Sequence, residues 1–421
     1  MNTDVKDLRY NEAEELWEAT LVHMVPGTGD MGAKQRERYV EEHGREAVYL
    51  REEKVKAKIV ISGVGGLVEP KEWPDNIPGR ETFKGEIFHT ARWRDDIDLN
   101  GKDVVVVGTG CSAAQVVPGI LEKPYNVKSV TQLMRSPPWT VPKPEEPFGR
   151  ENYAKHAPSI LSTVPGLGRA FRILQFSVSE SDWFRLFKNT NLSIKGRQKT
   201  EAKLLEHMRN TVPKKYHRIM TPNYGVGCKR RIFDAGWFES MNDDKFHITT
   251  QRLKSIQPNS ITVGASQTYP PEDDKQSTEE ATYPADVIIL ANGFDVSNFL
   301  HPLKVYGKNG VSLHDVWESR GGPQAYMGTA MDGFPNFFII FGPNTATGHS
   351  SVVYAIECMV GHALKFIKPI LKGEANTVEV KKEAEISWTN RIQEELKDTI
   401  FNGGCSSWYY SDDGWNATGY P

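Results

Sequence analysis

The sequence predicts an α/β fold built on doubly wound parallel sheets, and three apolar runs that end in glycine support this prediction. The runs are 58–66 (KIVISGVGG), 103–110 (DVVVVGTG) and 286–293 (DVIILANG). Each is rich in β-branched residues, as expected for a strand that is buried on both faces of a parallel sheet. Helical stretches alternate with the runs, and ligands of such folds bind at the carboxyl ends of the strands. We therefore expect cofactor chemistry after these runs.

Length and composition limit the number of domains and the kinds of partner that the chain is expected to have. A chain of 421 residues exceeds what one hydrophobic core organises, so two or more domains, or one domain interrupted by another, are expected. The 54 acidic and 51 basic residues give no electrostatic reason for a nucleic-acid or membrane partner. No apolar run reaches the length of a bilayer span, and residues 1–9 lack a signal-peptide core. We expect a cytoplasmic protein that acts on a small, largely neutral substrate, and the sequence points to no protein partner.

The four cysteines lie far apart, at positions Cys111, Cys228, Cys358 and Cys405. None belongs to a C-x-x-C pair or has a histidine at metal-ligand spacing. The sequence therefore predicts neither a disulfide nor a metal site.

Two stretches have helical character. Residues 151–217, including a surface helix predicted at 197–212, form an insertion between the second and third runs that we expect to cover a site. Near the end of the chain, Ser350 and Ser351 can cap a helix whose apolar stripe predicts core packing. The stripe comprises Val352, Ile356, Met359, Val360, Ala363 and Ile367. Residues 270–280 are acidic and contain proline, which predicts a loop.

A glycine-rich turn directly follows the second run. Gly108, Gly110 and Ala113 give the pattern G-x-G-x-x-A between a predicted strand and a helix predicted at 114–122. Glycines there allow a tight turn and close approach of the backbone to a pyrophosphate, which meets the positive end of the helix. The pattern alone has little specificity, and a glycine turn in an ordinary βα unit is the alternative. The strand before it and the helix after it favour a dinucleotide site.

The next predicted strand, 129–134, is followed by Arg135 and Ser136 instead of an acidic residue. An acidic residue would bind the ribose of NAD, whereas a cation suits the 2′-phosphate of NADP. The sequence therefore predicts that Arg135 and Ser136 bind NADP. The alternative is a surface arginine before the turn at Pro137 and Pro138.

A segment ahead of the dinucleotide motif combines three fixed spacings. Phe83, Gly85, His89 and Trp93 spell F-x-G-x-x-x-H-x-x-x-W. Taken singly, the aromatic residues would be core residues and the histidine a hydrogen-bonded loop residue. Together they resemble the fingerprint of Baeyer–Villiger monooxygenases, which are class B flavoprotein monooxygenases, with Arg94 where the fingerprint closes in proline or aspartate. The resemblance implies that Trp93 lies at a cofactor and that His89 assists catalysis through domain movement or cofactor positioning.

The resemblance extends over nearly the whole chain and is closest to fungal members of secondary metabolism. The similar segments are 61–66, 73–79, 290–294, 334–337, 342–344 and 404–408. Asn292 stands where the family usually has threonine. The segment 342–344 resembles a loop on the flavin side of the site, which implies a cofactor contact for Asn344.

By the same resemblance, Lys229 lies where the family binds the NADP 2′-phosphate, and Arg230 lies at the position of its catalytic arginine. The oxygenating species of the family is an anion that must persist without a proton. A guanidinium supplies a positive charge that does not titrate away, whereas a lysine could lose its proton in a dry pocket. Without the family, a run of three cations would be interpreted as solvated surface.

The resemblance implies two nested Rossmann-like domains, one for FAD and one for NADP. The expected domains are 1–99 (a remnant of the FAD domain with the fingerprint), 100–285 (the NADP domain with a helical insertion at about 151–217) and 286–421 (the second part of the FAD domain). Family members begin with a strand and a G-x-G-x-x-G loop for FAD, and residues 1–67 contain no such loop. We therefore expect an incomplete FAD domain in a chain truncated at its start.

The resemblance implies an FAD- and NADPH-dependent monooxygenase that inserts one oxygen atom from O2 beside a ketone carbonyl and forms an ester or lactone. Polyketide or terpenoid ketones are the expected substrates. Two alternatives stay open: a related enzyme that oxygenates nitrogen or sulfur, and a truncated pseudoenzyme that binds NADP without FAD. Trp93 and Arg230 favour ketone oxidation.

Overall fold

The fold combines strands and helices, and one of its sheets is wholly parallel, as the α/β prediction requires. The computed structural model describes residues 2–74, 76–143, 146, 148–266, 279–296, 299–405, 407, 409–411 and 413–420. In chain order the strands are β1 (Thr3–Asn11), β2 (Leu16–Met24), β3 (Tyr49–Ala57), β4 (Val60–Ser62), β5 (Glu69–Pro70), β6 (Glu86–His89), β7 (Asp103–Val107), β8 (Ser129–Leu133), β9 (Thr140–Val141), β10 (Ile232–Phe233), β11 (Phe246–Thr249), β12 (Gln251–Gln257), β13 (Ser260–Ser266), β14 (Ala281–Pro284), β15 (Val287–Leu290), β16 (Phe294–Asp295), β17 (Lys304–Tyr306) and β18 (Phe337–Ile339). The helices are α1 (Ala33–His43), α2 (Cys111–Leu121), α3 (Arg150–Thr163), α4 (Leu167–Asp182), α5 (Asn191–Thr211), α6 (Trp237–Ser240), α7 (Leu313–Ser319), α8 (Val352–Leu371) and α9 (Lys382–Lys397). Most of the loop predicted at 270–280 lies outside the described residues.

The chain forms two compact units. The first contains residues 1–70, 294–402 and 406–421, and the second contains residues 71–293 and 403–405. The fingerprint strand β6, which the sequence analysis assigned to the first domain, pairs with β15 in the second unit. The chain therefore passes from the first unit to the second after residue 70 and returns to the first after residue 293.

The second unit is built on a parallel five-stranded sheet in the order β11-β8-β7-β15-β6. The runs predicted at 103–110 and 286–293 are its neighbouring strands β7 and β15, with Val104 opposite Val287. Helix α2 buries Ala113, Val117 and Ile120 in the core that lies on this sheet. Strands β12–β14 form a separate antiparallel sheet, and their apolar residues share a second core cluster with residues of the parallel sheet. The parallel strand prediction is thus confirmed for both runs.

Helices α3, α4 and α5 occupy most of the predicted insertion. Helix α5 begins earlier than predicted, where Thr190 accepts a hydrogen bond from the backbone N–H of Ser193. It is also not purely a surface helix, because Leu204 and Met208 are buried. Arg197 is buried as well, and its guanidinium donates to Leu186 O at 2.8 Å. The many charged residues of this helix had predicted a solvated surface and gave no sign of its buried face.

The first unit contains a four-stranded sheet in the order β17-β1-β2-β3 and a parallel pair formed by β4 and β18. The run predicted at 58–66 supplies β4, and helix α8 packs on β18 through Met359, Ala363 and Ile367. Ser351 caps α8 as predicted. Val360 is 40% exposed, so its place in the core stripe was wrong. Its position on the edge of the helical stripe turns it away from the packed sheet.

A disulfide joins Cys228 to Cys405 across 177 positions of sequence, with their Cα atoms 6.3 Å apart. The expectation of no disulfide was therefore wrong, because spacing along the chain does not report which cysteines the fold brings together. Cys111 and Cys358 are exposed free thiols. No helix in the described part of the chain is long and apolar enough to cross a bilayer.

Candidate dinucleotide-binding site

The turn between β7 and α2 has the geometry that the glycine pattern predicted. Gly108 has φ +120°, and a Cβ atom added there would lie 2.4 Å from Ala291 O on the adjoining β15 segment. A Cβ atom at Gly110 would meet nothing within 4 Å. Gly108 is therefore required by the fold, whereas Gly110 leaves open space beside the amino end of α2, where an anion is favoured.

Ala113 lies one turn into α2 and is fully buried in the core. A small residue there lets the helix approach the sheet closely, which fixes the helix terminus relative to β7. Its contribution to binding is therefore through packing.

The two glycines allow a matched test of this turn. We expect Gly108→Ala to destabilise the fold by roughly 2–4 kcal/mol, because it combines an unfavourable φ with a clash against backbone. We expect Gly110→Ala to stay within about 1 kcal/mol of the original stability but to weaken binding of the predicted dinucleotide about tenfold, because its methyl group occupies the open space. Urea unfolding and a binding titration measure the two effects. Equal stability losses in both variants would contradict this division.

A second cluster lies after strand β8. Lys229 Nζ donates to Ser136 Oγ at 2.9 Å and lies 4.6 Å from the centre of the Tyr224 ring. Tyr224 in turn donates from its hydroxyl to Pro137 O at 2.8 Å. Thr109 links the cluster to the glycine turn, since its hydroxyl donates to Ser136 O at 3.3 Å.

Two positive charges meet in this cluster. Burial, and next the charge of Arg135, lower the pKa of Lys229 to about 8. In the described part of the chain, neither Arg135 nor Lys229 has a carboxylate at ion-pair distance. Two neighbouring cations and a hydroxyl without a carboxylate form a site that an anion would stabilise.

Arg230, the next residue, is exposed. It has no hydrogen bond or ion pair with any residue that the structure describes. The neighbouring Arg231 differs, because its guanidinium lies 3.5 Å from Asp182 Oδ2. Arg230 is therefore the member of this arginine pair that is available to an external anion.

His89 is a buried residue whose two ring nitrogens contact backbone groups. Nδ1 accepts from Ala91 N at 3.0 Å and Nε2 lies 3.1 Å from Gly293 O. Nε2 must then carry the proton and donate it to the carbonyl. Burial lowers the pKa of His89, which favours this neutral form. The histidine thus joins the fingerprint strand to the end of the segment after β15.

Trp93 and Asn344 are placed in packing and loop-bracing positions. The Trp93 ring packs edge-on against Phe88 and Tyr125, at centroid distances of 5.3 Å and 6.0 Å. In the first unit, Asn344 Nδ2 donates to Asn416 O at 2.7 Å and Gly419 O at 3.0 Å. The cofactor contacts that the resemblance implies for Trp93 and Asn344 stay predictions.

Sequence reasoning missed three residues of the second unit that organise the cluster: Thr109, Tyr224 and Cys228. Thr109 occupies a variable position of the glycine motif. Tyr224 and Cys228 act through contacts with residues far away in sequence, for which the local pattern contains no signal.

Comparison with known proteins adds the family context. A family model described as flavin-binding monooxygenase-like matches residues 32–141. An FAD-binding monooxygenase, ktnD, of Aspergillus niger is 32% identical over 369 residues, which cover 86% of this chain and 56% of that protein. A Baeyer–Villiger monooxygenase of Streptomyces coelicolor is 30% identical over 367 residues, which cover 87% of this chain and 65% of that protein. The chain thus spans between about half and two thirds of the length of these relatives.

Solved structures show the same fold at lower sequence identity. The crystal structure of OTEMO in complex with FAD and NADP has a TM-score of 0.70 and 23% identity, covering 100% of this chain and 76% of that one. Cyclohexanone monooxygenase from Rhodococcus bound to NADP+ has a TM-score of 0.70 and 22% identity, covering 99% of this chain and 75% of that one. The likeness to these two proteins is one of fold.

Proposed function

We propose that this chain is a member of the Baeyer–Villiger monooxygenase family of flavoproteins and uses NADPH and FAD to insert one oxygen atom from O2 beside a ketone carbonyl. The product would be an ester or a lactone. The observation that carries the proposal is the convergence of the β7–α2 turn with Arg135, Ser136 and Lys229 in the second unit. This arrangement offers one place for a pyrophosphate and another for a 2′-phosphate.

The residues of the second unit fit NADP. Gly108 would shape the turn, and Gly110 would let the pyrophosphate approach the amino end of α2, where the backbone is open. Lys229 would bind the 2′-phosphate by a charge-assisted hydrogen bond, with Arg135 as the second cation and Ser136 holding the ammonium in place. Because neither cation has a carboxylate partner among the residues that the structure describes, a phosphate, and not an internal ion pair, would neutralise them.

The first unit offers a partial fit for FAD. The turn after β4 contains Gly63 and Gly65, and a Cβ atom at either position would meet nothing within 4 Å. A bound FAD would supply the activation of O2. Arg230 would hold an anionic oxygen species near its fixed positive charge, and His89 would keep the fingerprint strand joined to the segment at Gly293.

A second candidate function is an NADP-binding protein that works without FAD, because the β7–α2 turn and the cluster around Lys229 lie within the second unit alone. An enzyme that oxygenates nitrogen or sulfur is a further alternative, which product analysis separates. We keep the cytoplasm as the proposed location and, on the strength of the sequence resemblance, fungal secondary metabolism as the proposed setting.

The test combines cofactor binding and product analysis. The purified chain is mixed with FAD, freed of excess, and supplied with NADPH, O2 and a panel of cyclic ketones, amines and sulfides. We expect a yellow protein that forms esters or lactones. A protein that binds NADPH but stays colourless would establish the second candidate instead. N-oxide or S-oxide without ester would show that the reaction class is wrong.

A further inference from the structure

The disulfide Cys228–Cys405 adjoins the proposed phosphate site directly, because Cys228 precedes Lys229 in the chain. Cys228 is fully buried. Cys405 is only partly buried, and the residues before it, Gly403 and Gly404, are exposed. One sulfur of the bond is therefore sealed in the core, while the other lies at an accessible loop.

The segment that contains Cys228 is attached to the second unit at both ends. At its start, Trp139 Nε1 donates to Tyr224 O at 2.7 Å. At its end, Ile232 N donates to Trp139 O at 2.9 Å, where strand β10 begins. Cys228 lies midway between these attachments, and its own N–H donates to Gly225 O within the segment, at 3.1 Å.

The middle of the segment is thus fixed largely through side chains. The disulfide anchors Cys228, and the neighbouring Lys229 reaches Ser136 Oγ with its ammonium. Burial of that ammonium beside Arg135 is unfavourable, so its contacts with Ser136 and Tyr224 depend on where the backbone beneath it lies. Because the planar peptide bond fixes the distance between consecutive Cα atoms, a shift of the backbone at Cys228 moves Lys229 as well.

We propose that the Cys228–Cys405 disulfide is a redox-modification site that positions Lys229 for the 2′-phosphate of the dinucleotide. The oxidised protein binds this phosphate tightly, and the reduced protein binds it more weakly. This inference rests on the proposed function, since it concerns the same NADP site.

The chemistry is thiol–disulfide exchange. In reduction, the thiolate of one glutathione attacks Sγ of Cys405, the accessible sulfur, and Cys228 leaves as a thiolate that takes up a proton. A second glutathione then releases Cys405 and forms glutathione disulfide. Two electrons and two protons pass from the glutathione pair to the protein, one S–S bond breaks and one forms. Oxidation is the reverse.

The test is a titration of the 421-residue chain in glutathione buffers, with 2′,5′-ADP as the probe and 5′-AMP as the matched control without the 2′-phosphate. We expect 2′,5′-ADP to bind about fivefold or more tightly to the oxidised protein, as for coupled sites in general. The affinity for 5′-AMP should not change. By reciprocity, saturating 2′,5′-ADP should make the disulfide harder to reduce by the same factor.

Variants provide the second readout. Cys405→Ser should bind 2′,5′-ADP like the reduced protein, independently of the glutathione ratio. Cys358→Ser removes an exposed cysteine outside the site and should respond like the original protein. Should Cys405→Ser fail to fold, the titration of the unmodified chain still decides the question.

The outcomes are distinguishable. Equal and tight binding of 2′,5′-ADP in both redox states would overturn the inference and leave the NADP site intact. An equal loss of 2′,5′-ADP and 5′-AMP affinity on reduction would also overturn it, because the disulfide would then support the fold in general. If 2′,5′-ADP bound no better than 5′-AMP in either state, the proposed NADPH function would itself fail.

Discussion

Replacing Lys229 with alanine should weaken NADPH binding by roughly 10- to 100-fold and leave NADH binding nearly unchanged. Only NADPH carries the 2′-phosphate, and a hydrogen bond to a charged group contributes about 1.5–3 kcal/mol, which converts to that range of affinity. The hydrogen bond from Lys229 to Ser136 shows that the ammonium is already held in position. Quenching of protein fluorescence by each nucleotide gives both dissociation constants. A parallel loss of NADH affinity would instead assign Lys229 a general structural role.

The pH dependence of NADPH binding distinguishes the contribution of the Lys229 charge from that of its side-chain shape. Burial and the neighbouring Arg135 hold the pKa of Lys229 at about 8. A bound phosphate favours the protonated amine and raises that pKa. Affinity for NADPH should therefore be high below pH 8 and should decline as the pH rises above it. Lys229→Arg keeps the charge at every pH used, so its affinity should show no such decline.

The strands and the glycine turn were predictable from the sequence because their signals are local. An apolar run such as 103–110 reports a strand buried on both faces, and the β7–β15 pairing makes the requirement for Gly108 visible as a clash with Ala291 O. The meeting of Lys229 with Ser136 was implied by family resemblance alone. Ninety-three positions separate these two residues, and no periodicity spans that distance.

Other features could not be predicted, because they depend on which surfaces meet in three dimensions. The Cys228–Cys405 bond is the clearest case. Arg197 is another, since its charge predicts a solvated face, yet carbonyl groups of the preceding turn bind the guanidinium in the interior. The hydrogen bonds from Asn344 to the segment around Asn416 are a third case, and the cofactor contact that the resemblance implies for Asn344 stays a prediction. Hydrogen-bond capacity is encoded in the residue type, but the choice of partner comes from the fold.

Replacing Arg230 with alanine should abolish oxygenated product while NADPH-driven reduction of added FAD continues. Arg230 is exposed, has no described internal partner, and follows Lys229 directly. In the proposed function it would supply the charge that meets an anionic oxygen species, and loss of one such electrostatic contact lowers turnover by roughly 100-fold or more. NADPH would still be consumed, with hydrogen peroxide released in place of ester. The measurement is the ratio of ester formed to NADPH oxidised.

Arg231→Ala is the matched control, because it removes the same side chain one position further on. Arg231 is engaged by Asp182 and packs with its guanidinium 6.0 Å from the centre of the Phe187 ring. We expect this variant to keep its ratio of ester to NADPH, with at most a modest loss of stability. Loss of flavin reduction in Arg230→Ala would instead place Arg230 at the dinucleotide. An equal fall in the ratio of ester to NADPH in both variants would show that the two arginines act through their combined positive charge. A specific role for Arg230 requires that only its replacement lowers this ratio.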